Sequence, residues 1–92
     1  MSTPAPAVTE RIRLKLAALR PESVEIHDDS AAHAGHAGAR AGGGHYSLVI
    51  VSGAFTGQPA QQRHRMVYAA LGDMMTRDIH ALAIRAFAPD EI

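Results

Sequence analysis

Histidine is the residue type in this 92-residue chain whose side chain is best suited to chemistry such as metal binding. The chain contains six histidines and no cysteine. Imidazole titrates near neutral pH and is the commonest metal ligand in proteins. A chain without thiols forms no disulfide and cannot by itself hold a thiolate-ligated zinc or iron–sulfur centre. The composition therefore predicts that any bound metal is held by histidine or carboxylate, or is shared with a partner.

Two of the histidines, His33 and His36, form a His-x-x-His pair within residues 30–44, which hold five of the eight glycines. These residues have almost no bulky apolar side chain to offset chain entropy, so we expect residues 31–44 to be the most mobile internal segment. One interpretation of the pair is that it is simply solvated. Specific zinc binding would need His45, His80 or a carboxylate such as Asp28 to join the pair, because a structural zinc site is tetrahedral.

Charge and motif content argue against several function classes. Lys plus Arg and Asp plus Glu number 9 each, so the chain is not built mainly to neutralise nucleic-acid phosphates or anionic lipid. Arg63 and Arg65 are interpreted either as a solvated basic face or as contacts to a partner or to DNA. We find no phosphate-binding loop and no Ser-His-Asp arrangement, and we assign no enzymatic activity. No apolar run approaches the roughly 20 residues of a membrane span, and the first residues carry no targeting pattern, so we expect a cytoplasmic protein.

Hydrophobic periodicity predicts the elements that position these side chains. They are a helix over about 9–20 with Thr9 as its N-cap, strands near 23–29 and 46–52, a helix over about 59–75 and a strand near 80–87. Residues 1–8 are expected to be a disordered tail and residues 9–92 a single domain. This order of elements predicts a two-layer α+β sandwich, with the helices on one face of a small three-stranded mixed sheet.

Several separated motifs carry a family resemblance that runs from about Ile12 to Pro89. They are Asp29-Ser30-x-x-His33, His45-Tyr46, Val51-Ser52-x-x-Phe55-x-Gly57, Arg63-His64-Arg65-x-Val67-Tyr68 and Ile79-His80-Ala81-Leu82. With these motifs in this order, the chain resembles the BolA-like proteins. The resemblance implies a KH-like fold of the class II type.

The resemblance also implies a function. It implies a non-enzymatic protein that forms a heterodimer with a monothiol glutaredoxin and, with glutathione, shares a [2Fe-2S] cluster, in iron–sulfur trafficking or in iron and stress regulation. His80 is implied as one ligand, and His33, with His36 as its alternative, as the ligand from the loop between the first two strands. Alone, the protein is expected to hold no cofactor and to be a monomer or a weak homodimer. The alternative function is that of a DNA-binding transcriptional regulator, although the Gly-x-x-Gly loop with which KH modules clamp nucleic acid is missing.

Overall fold

A layer of helices packed on a layer of strands makes up the structure, a computed structural model that describes residues 7–29 and 44–92. The helices and strands are α1 (Val8–Leu16), β1 (Ser23–Asp28), β2 (Gly44–Val51), α2 (Ala60–Leu71), α3 (Met74–Arg77) and β3 (Ile79–Phe87). Short 3-10 turns follow α1, β2 and β3, at Ala17–Leu19, Gly53–Phe55 and Pro89–Glu91. The predicted α+β class and the order of the elements are confirmed.

The sheet has β2 at its centre, in the order β1-β2-β3. β1 pairs with β2 in the antiparallel sense, and β2 pairs with β3 in the parallel sense. The sheet is therefore mixed, as predicted. The central position also agrees with the run of apolar residues from Leu48 to Val51 at the end of β2, since strands inside a sheet are typically apolar along their length.

The core lies between the helices and one face of the sheet. Leu48 and Ile50, alternate residues of β2, are at most 1% exposed and cluster with Ile12 and Leu16 of α1 and with the buried side chains of α2. Because residues that alternate along a strand share a face, the helices cover a single face of the sheet, as predicted. The opposite face carries no helix among the described residues.

The first helix differs from its prediction at both ends. Its N-cap is Ala7, with no side-chain cap, so the prediction of Thr9 as N-cap is wrong and Thr9 lies inside α1. The helix passes into a 3-10 turn after Leu16, and this turn ends at Arg20, which has a φ of 49°. The helical pattern of the sequence continues through this tighter turn, because periods of 3.6 and 3.0 residues are hard to separate over so few residues.

The second predicted helix is divided in two. α2 ends at Leu71, where Gly72 adopts a φ of 56° and donates its N–H to the Tyr68 carbonyl at 2.9 Å. A positive φ is outside the right-handed helical region, and glycine adopts it with the least strain. Met74 then opens α3 with its side chain still in the core, so the apolar spacing of the sequence continues across the break.

Two sequence predictions concern residues that the structure leaves undescribed. Residues 1–6 of the expected disordered tail lie outside the described residues, while Val8 is already the first residue of α1. Most of the expected mobile segment, residues 31–43, also lies outside them, and Gly44 begins β2.

Candidate metal centre

His80 is the extra residue in an irregular step of the β2–β3 pairing. Gly44 lies opposite Ile79, but the next residue of β2, His45, lies opposite Ala81. His80 therefore has no register partner of its own, as at a β-bulge, a feature that re-aims side chains near functional sites. Ile79 remains in the core at 3% exposure, whereas both His80 and Ala81 are exposed. The irregular step thus lets the consecutive residues His80 and Ala81 both face outward, while Ile79 before them and Leu82 after them point toward the core.

The same register brings a second histidine to His80. The ring centroids of His45 and His80 are 5.1 Å apart, and the two ring planes are inclined by 51°. His45 is half-buried on the central strand, and His80 is exposed on its parallel neighbour. Parallel pairing places the beginnings of β2 and β3 at one edge of the sheet, so residues far apart in the chain become neighbours.

His80, predicted at the start of a strand, is the second residue of β3. The sequence does not predict its pairing with His45. The available signal was that each histidine stands next to the first residue of a strand. That signal identifies a pair only when the two strands are known to be adjacent and parallel.

Other polar groups on the open face of the sheet have partners of their own. The Ser47 hydroxyl donates to the Asp29 carboxylate, and His27 Nε2 lies 3.5 Å from Glu25 Oε1. In residues 7–29 and 44–92, no group of three or more His, Cys, Asp or Glu side chains is arranged to hold a metal ion. These two segments therefore bring together a histidine pair rather than a full set of metal ligands.

The loop histidines of the predicted site, His33 and His36, lie outside the described residues. Asp28, named as a further ligand for zinc, is the last residue of β1, opposite Tyr46.

Arg63, predicted as a contact to a partner or to nucleic acid, is held inside the protein. Its Nη1 and Nη2 donate to the two carboxylate oxygens of Glu91 at 2.6 and 2.8 Å. Nη1 also donates to the Ala86 carbonyl at 3.0 Å, and Nε to the Gln58 carbonyl at 2.7 Å. The side chain is 12% exposed. This geometry gives Arg63 a structural role that joins α2 to the end of β3 and to the turn that follows.

The Arg63–Glu91 pair changes the protonation of both groups. The hydrogen bond from Arg63, together with the Ala88 backbone N–H, lowers the pKa of Glu91 to about 2. The hydrogen bond to Glu91 in turn raises the pKa of Arg63 above its usual value. Arg65 is exposed, two residues farther along α2, and His64 between them is half-buried.

A cleft of about 410 Å³ lies between α1 and the α2–α3 junction. Basic side chains of Arg11, Lys15 and Arg77 line it, together with the carboxylates of Asp73 and Asp78. Arg11 forms an ion pair with Asp78. The junction between α2 and α3 is Gly72-Asp73. A carboxylate therefore stands at the helix junction, where a KH module would use a Gly-x-x-Gly loop.

None of the helices in the part of the chain that the structure describes is long and apolar enough to cross a membrane.

Comparison with known proteins relates the chain to one family. The family model for BolA-like proteins matches residues 16–91. The chain is 43% identical over 88 residues to SufE-like protein 1 of Arabidopsis thaliana, a match that covers 89% of this chain but 24% of that protein. It is 38% identical over 85 residues to the DNA-binding transcriptional regulator BolA of Escherichia coli, covering 91% of this chain and 78% of that protein.

A solved structure gives the same result at the level of the fold. The structure of BolA1 from Arabidopsis thaliana superposes with a TM-score of 0.81 at 35% identity, covering 97% of this chain and 99% of that one.

Proposed function

This chain belongs to the BolA-like protein family, and on that premise we propose that it is a non-enzymatic partner of a monothiol glutaredoxin. The two proteins share a [2Fe-2S] cluster in a cytoplasmic heterodimer that serves iron–sulfur trafficking or iron and stress regulation. Without glutaredoxin, the protein is a monomer or a weak homodimer and carries no cluster. The observation that supports this proposal best is the exposed imidazole of His80, held on a strand at the open face of the sheet.

The donor set of the chain fits a shared cluster better than a resident one. A [2Fe-2S] cluster needs ligands for two irons, and in proteins these are thiolates, or histidines on one iron with thiolates on the other. The chain has no thiol, and its described residues contain no group of three or more possible ligands. It can therefore provide histidine ligands to one iron, while the remaining ligands come from glutaredoxin and glutathione. When bound, the cluster supplies a transferable iron–sulfur unit.

In this proposal the chain supplies two ligands to the cluster, one from a strand and one from a loop. His80 is fixed by the pairing of β2 with β3, and ligands on rigid elements are placed more reproducibly than ligands on loops. His33 is the loop ligand, with His36 three residues later as its alternative. Arg65, exposed on α2, is available to contact the partner, whereas Arg63 is bound to Glu91.

The experiment that tests the proposal mixes the purified protein with a monothiol glutaredoxin, glutathione, iron and sulfide under anaerobic conditions. We expect a coloured 1:1 heterodimer whose visible absorption and circular dichroism differ from those of the glutaredoxin homodimer. His80→Ala should abolish this spectrum, and His64→Ala, a half-buried histidine on α2, is the matched control that should keep it. A colour that stays with the glutaredoxin homodimer would remove the proposal. Loss of the spectrum in His64→Ala but not in His80→Ala would mean that the cluster ligand lies in the helix layer rather than on the sheet.

The same assay tests the loop ligand. If His36 can replace His33, the single variants His33→Ala and His36→Ala should each lose less of the heterodimer spectrum than the double variant. A complete loss in His33→Ala alone would show that His36 cannot substitute.

A second candidate function is DNA binding, because basic side chains line the cleft beside α1 and one relative is named a DNA-binding regulator. The acidic residues in the same cleft and the net charge of zero weigh against it. Phosphate contacts make affinity fall steeply with salt. Retention on duplex DNA at physiological salt that Lys15→Gln weakens would promote this function, and no retention would exclude it.

A further inference from the structure

We propose that His45 and His80 together bind one divalent transition-metal ion, of the class of Zn²⁺ or Cu²⁺, in the protein alone. The site stands on the geometry of two side chains that the structure describes. It requires neither glutaredoxin nor the histidines at positions 33 and 36.

The separation of the two rings is that of imidazoles bound to one metal. A zinc–nitrogen bond is about 2.0–2.1 Å long, which puts each ring centroid about 3 Å from the metal. At a tetrahedral angle, two such centroids are about 5 Å apart, and those of His45 and His80 are 5.1 Å apart. The inclination of 51° between the rings is not that of parallel stacking.

Backbone pairing holds both histidines in place before any metal arrives. His45 lies opposite Ala81 in the β2–β3 ladder, and its carbonyl accepts from the Asp29 N–H at 2.7 Å on the other side. The residue before His80 is anchored in the core at 3% exposure, and the Gly44 N–H donates to the Asp78 carbonyl at 3.0 Å. A metal that binds a preorganised pair orders fewer groups, so less conformational entropy is lost on binding.

The rest of the coordination sphere of the metal would be open. The described residues place no third ligand beside the pair, and the neighbouring Ala81 is small and exposed. Two imidazoles leave positions for water or for a ligand from outside, as in open zinc sites. Imidazole suits zinc, copper and nickel, whereas a magnesium ion would favour oxygen ligands.

The site has a consequence for regulation that rests on the proposed function. If His80 is also the ligand to the shared cluster, its imidazole cannot serve both metals at once. A divalent ion at His45 and His80 would then delay or block cluster sharing with glutaredoxin.

The test uses tag-free protein and Cu²⁺ as the probe, because its electron paramagnetic resonance spectrum reports the number of coupled imidazole nitrogens. A His33→Gln/His36→Gln variant serves as the background, so that the loop histidines cannot contribute. In it we expect a 1:1 complex with two coupled nitrogens. Adding His45→Gln or His80→Gln should leave one imidazole nitrogen coupled to Cu²⁺ and weaken Cu²⁺ binding by about tenfold or more. Adding His27→Gln or His64→Gln, the matched controls, should change the affinity by less than about twofold.

Three results would overturn the site. One is loss of binding in the background variant, which would place the ion at the loop histidines. Another is an unchanged affinity in His45→Gln, and the third is a dependence on His27 or His64 equal to that on His80. Circular dichroism and an unfolding curve for each variant identify any loss that comes from misfolding. Cluster transfer to glutaredoxin is measured separately, so a negative result with Cu²⁺ and a normal heterodimer would reject this site and keep the proposed function.

Discussion

Arg63 on α2 and Glu91 in the turn after β3 form a bidentate pair, in which two nitrogen atoms meet two carboxylate oxygens at 2.6 and 2.8 Å. Parallel hydrogen bonds of this kind add geometric specificity to the charge attraction. Glu91 also accepts from the Ala88 N–H at 2.8 Å. The pair therefore ties the chain after β3 to the helix layer.

The pair predicts how stability responds to acid. The pKa of Glu91 is lowered to about 2 in the folded protein from an ordinary value of 4.5, so its contribution is complete about one pH unit above 4.5 and is lost as the pH falls through 4.5 toward 2. In Glu91→Gln this contribution is missing at every pH. We expect the difference in urea midpoint between wild type and Glu91→Gln to be constant above about pH 5.5 and to shrink toward pH 2.

The matched control for Glu91→Gln is Glu22→Gln, which removes an exposed carboxylate ahead of β1. A difference in urea midpoint between wild type and Glu91→Gln that stays constant down to pH 2 would show that the ionised pair does not stabilise the fold.

Replacing Ser52 with alanine should destabilise the fold by more than the small size of its side chain suggests. Its side chain is fully buried, donates to the Leu19 carbonyl at 2.6 Å and accepts from the Ala54 N–H at 3.1 Å. Ser52→Ala removes both hydrogen bonds, and because a typical intramolecular hydrogen bond contributes about 0.5–1.5 kcal/mol, we expect a loss of about 1–3 kcal/mol. Ser23→Ala, at an exposed position of β1, should change the free energy of unfolding by less than about 0.5 kcal/mol. Chemical denaturation of both variants checks the difference.

Two leucines of α1 test the direction of that helix. Leu16 is 0% exposed and Leu14 is 62% exposed, although the two stand only two residues apart. Leu16→Ala should lower the free energy of unfolding by about 2–5 kcal/mol because it leaves a cavity in the core. Leu14→Ala should cost less than about 0.5 kcal/mol, as a surface change does. Equal losses in urea denaturation would mean that α1 presents another face to the sheet.

The break between α2 and α3 predicts that Gly72 resists substitution. Gly72 has a φ of 56°, and no atom lies within 4 Å of the place where a Cβ would stand. The cost of Gly72→Ala is therefore backbone strain rather than a clash, at about 1–3 kcal/mol. Gly53→Ala is the control, because its surroundings are equally open and its φ is not in the positive range. Thermal unfolding should separate the two variants, and a Gly72→Ala variant as stable as wild type would contradict the assigned backbone conformation.

Much of the fold follows from local patterns in the chain. The alternation at Val24 and Ile26 marks β1, and the helical spacing of Ile12 and Leu16 marks α1, because each pattern buries one face of its element. The helix boundaries are harder to predict. Neither the start of α1 after Ala7 nor the end of α2 at Leu71 is marked by a side-chain cap.

The candidate site could be predicted only in part, and for a different reason. His80 is implied as a ligand by the family resemblance, since its place at the start of a strand would by itself fit a structural histidine as well. The position of His45 beside His80 depends on the parallel direction of β2 and β3 and on the irregular step between Gly44 and His45. Strand direction and register are set by long-range pairing, which no short stretch of sequence encodes by itself.

β2 takes part in every strand pairing of the sheet, and each of its partners is far away in the chain. Ser23 lies opposite Val51, and Gly44 lies opposite Ile79. Contacts between distant residues form only after the intervening chain has lost much of its entropy, which slows folding. Refolding should therefore be limited by the assembly of the sheet around β2, in the time range of mixed α/β domains rather than the microseconds of helical bundles.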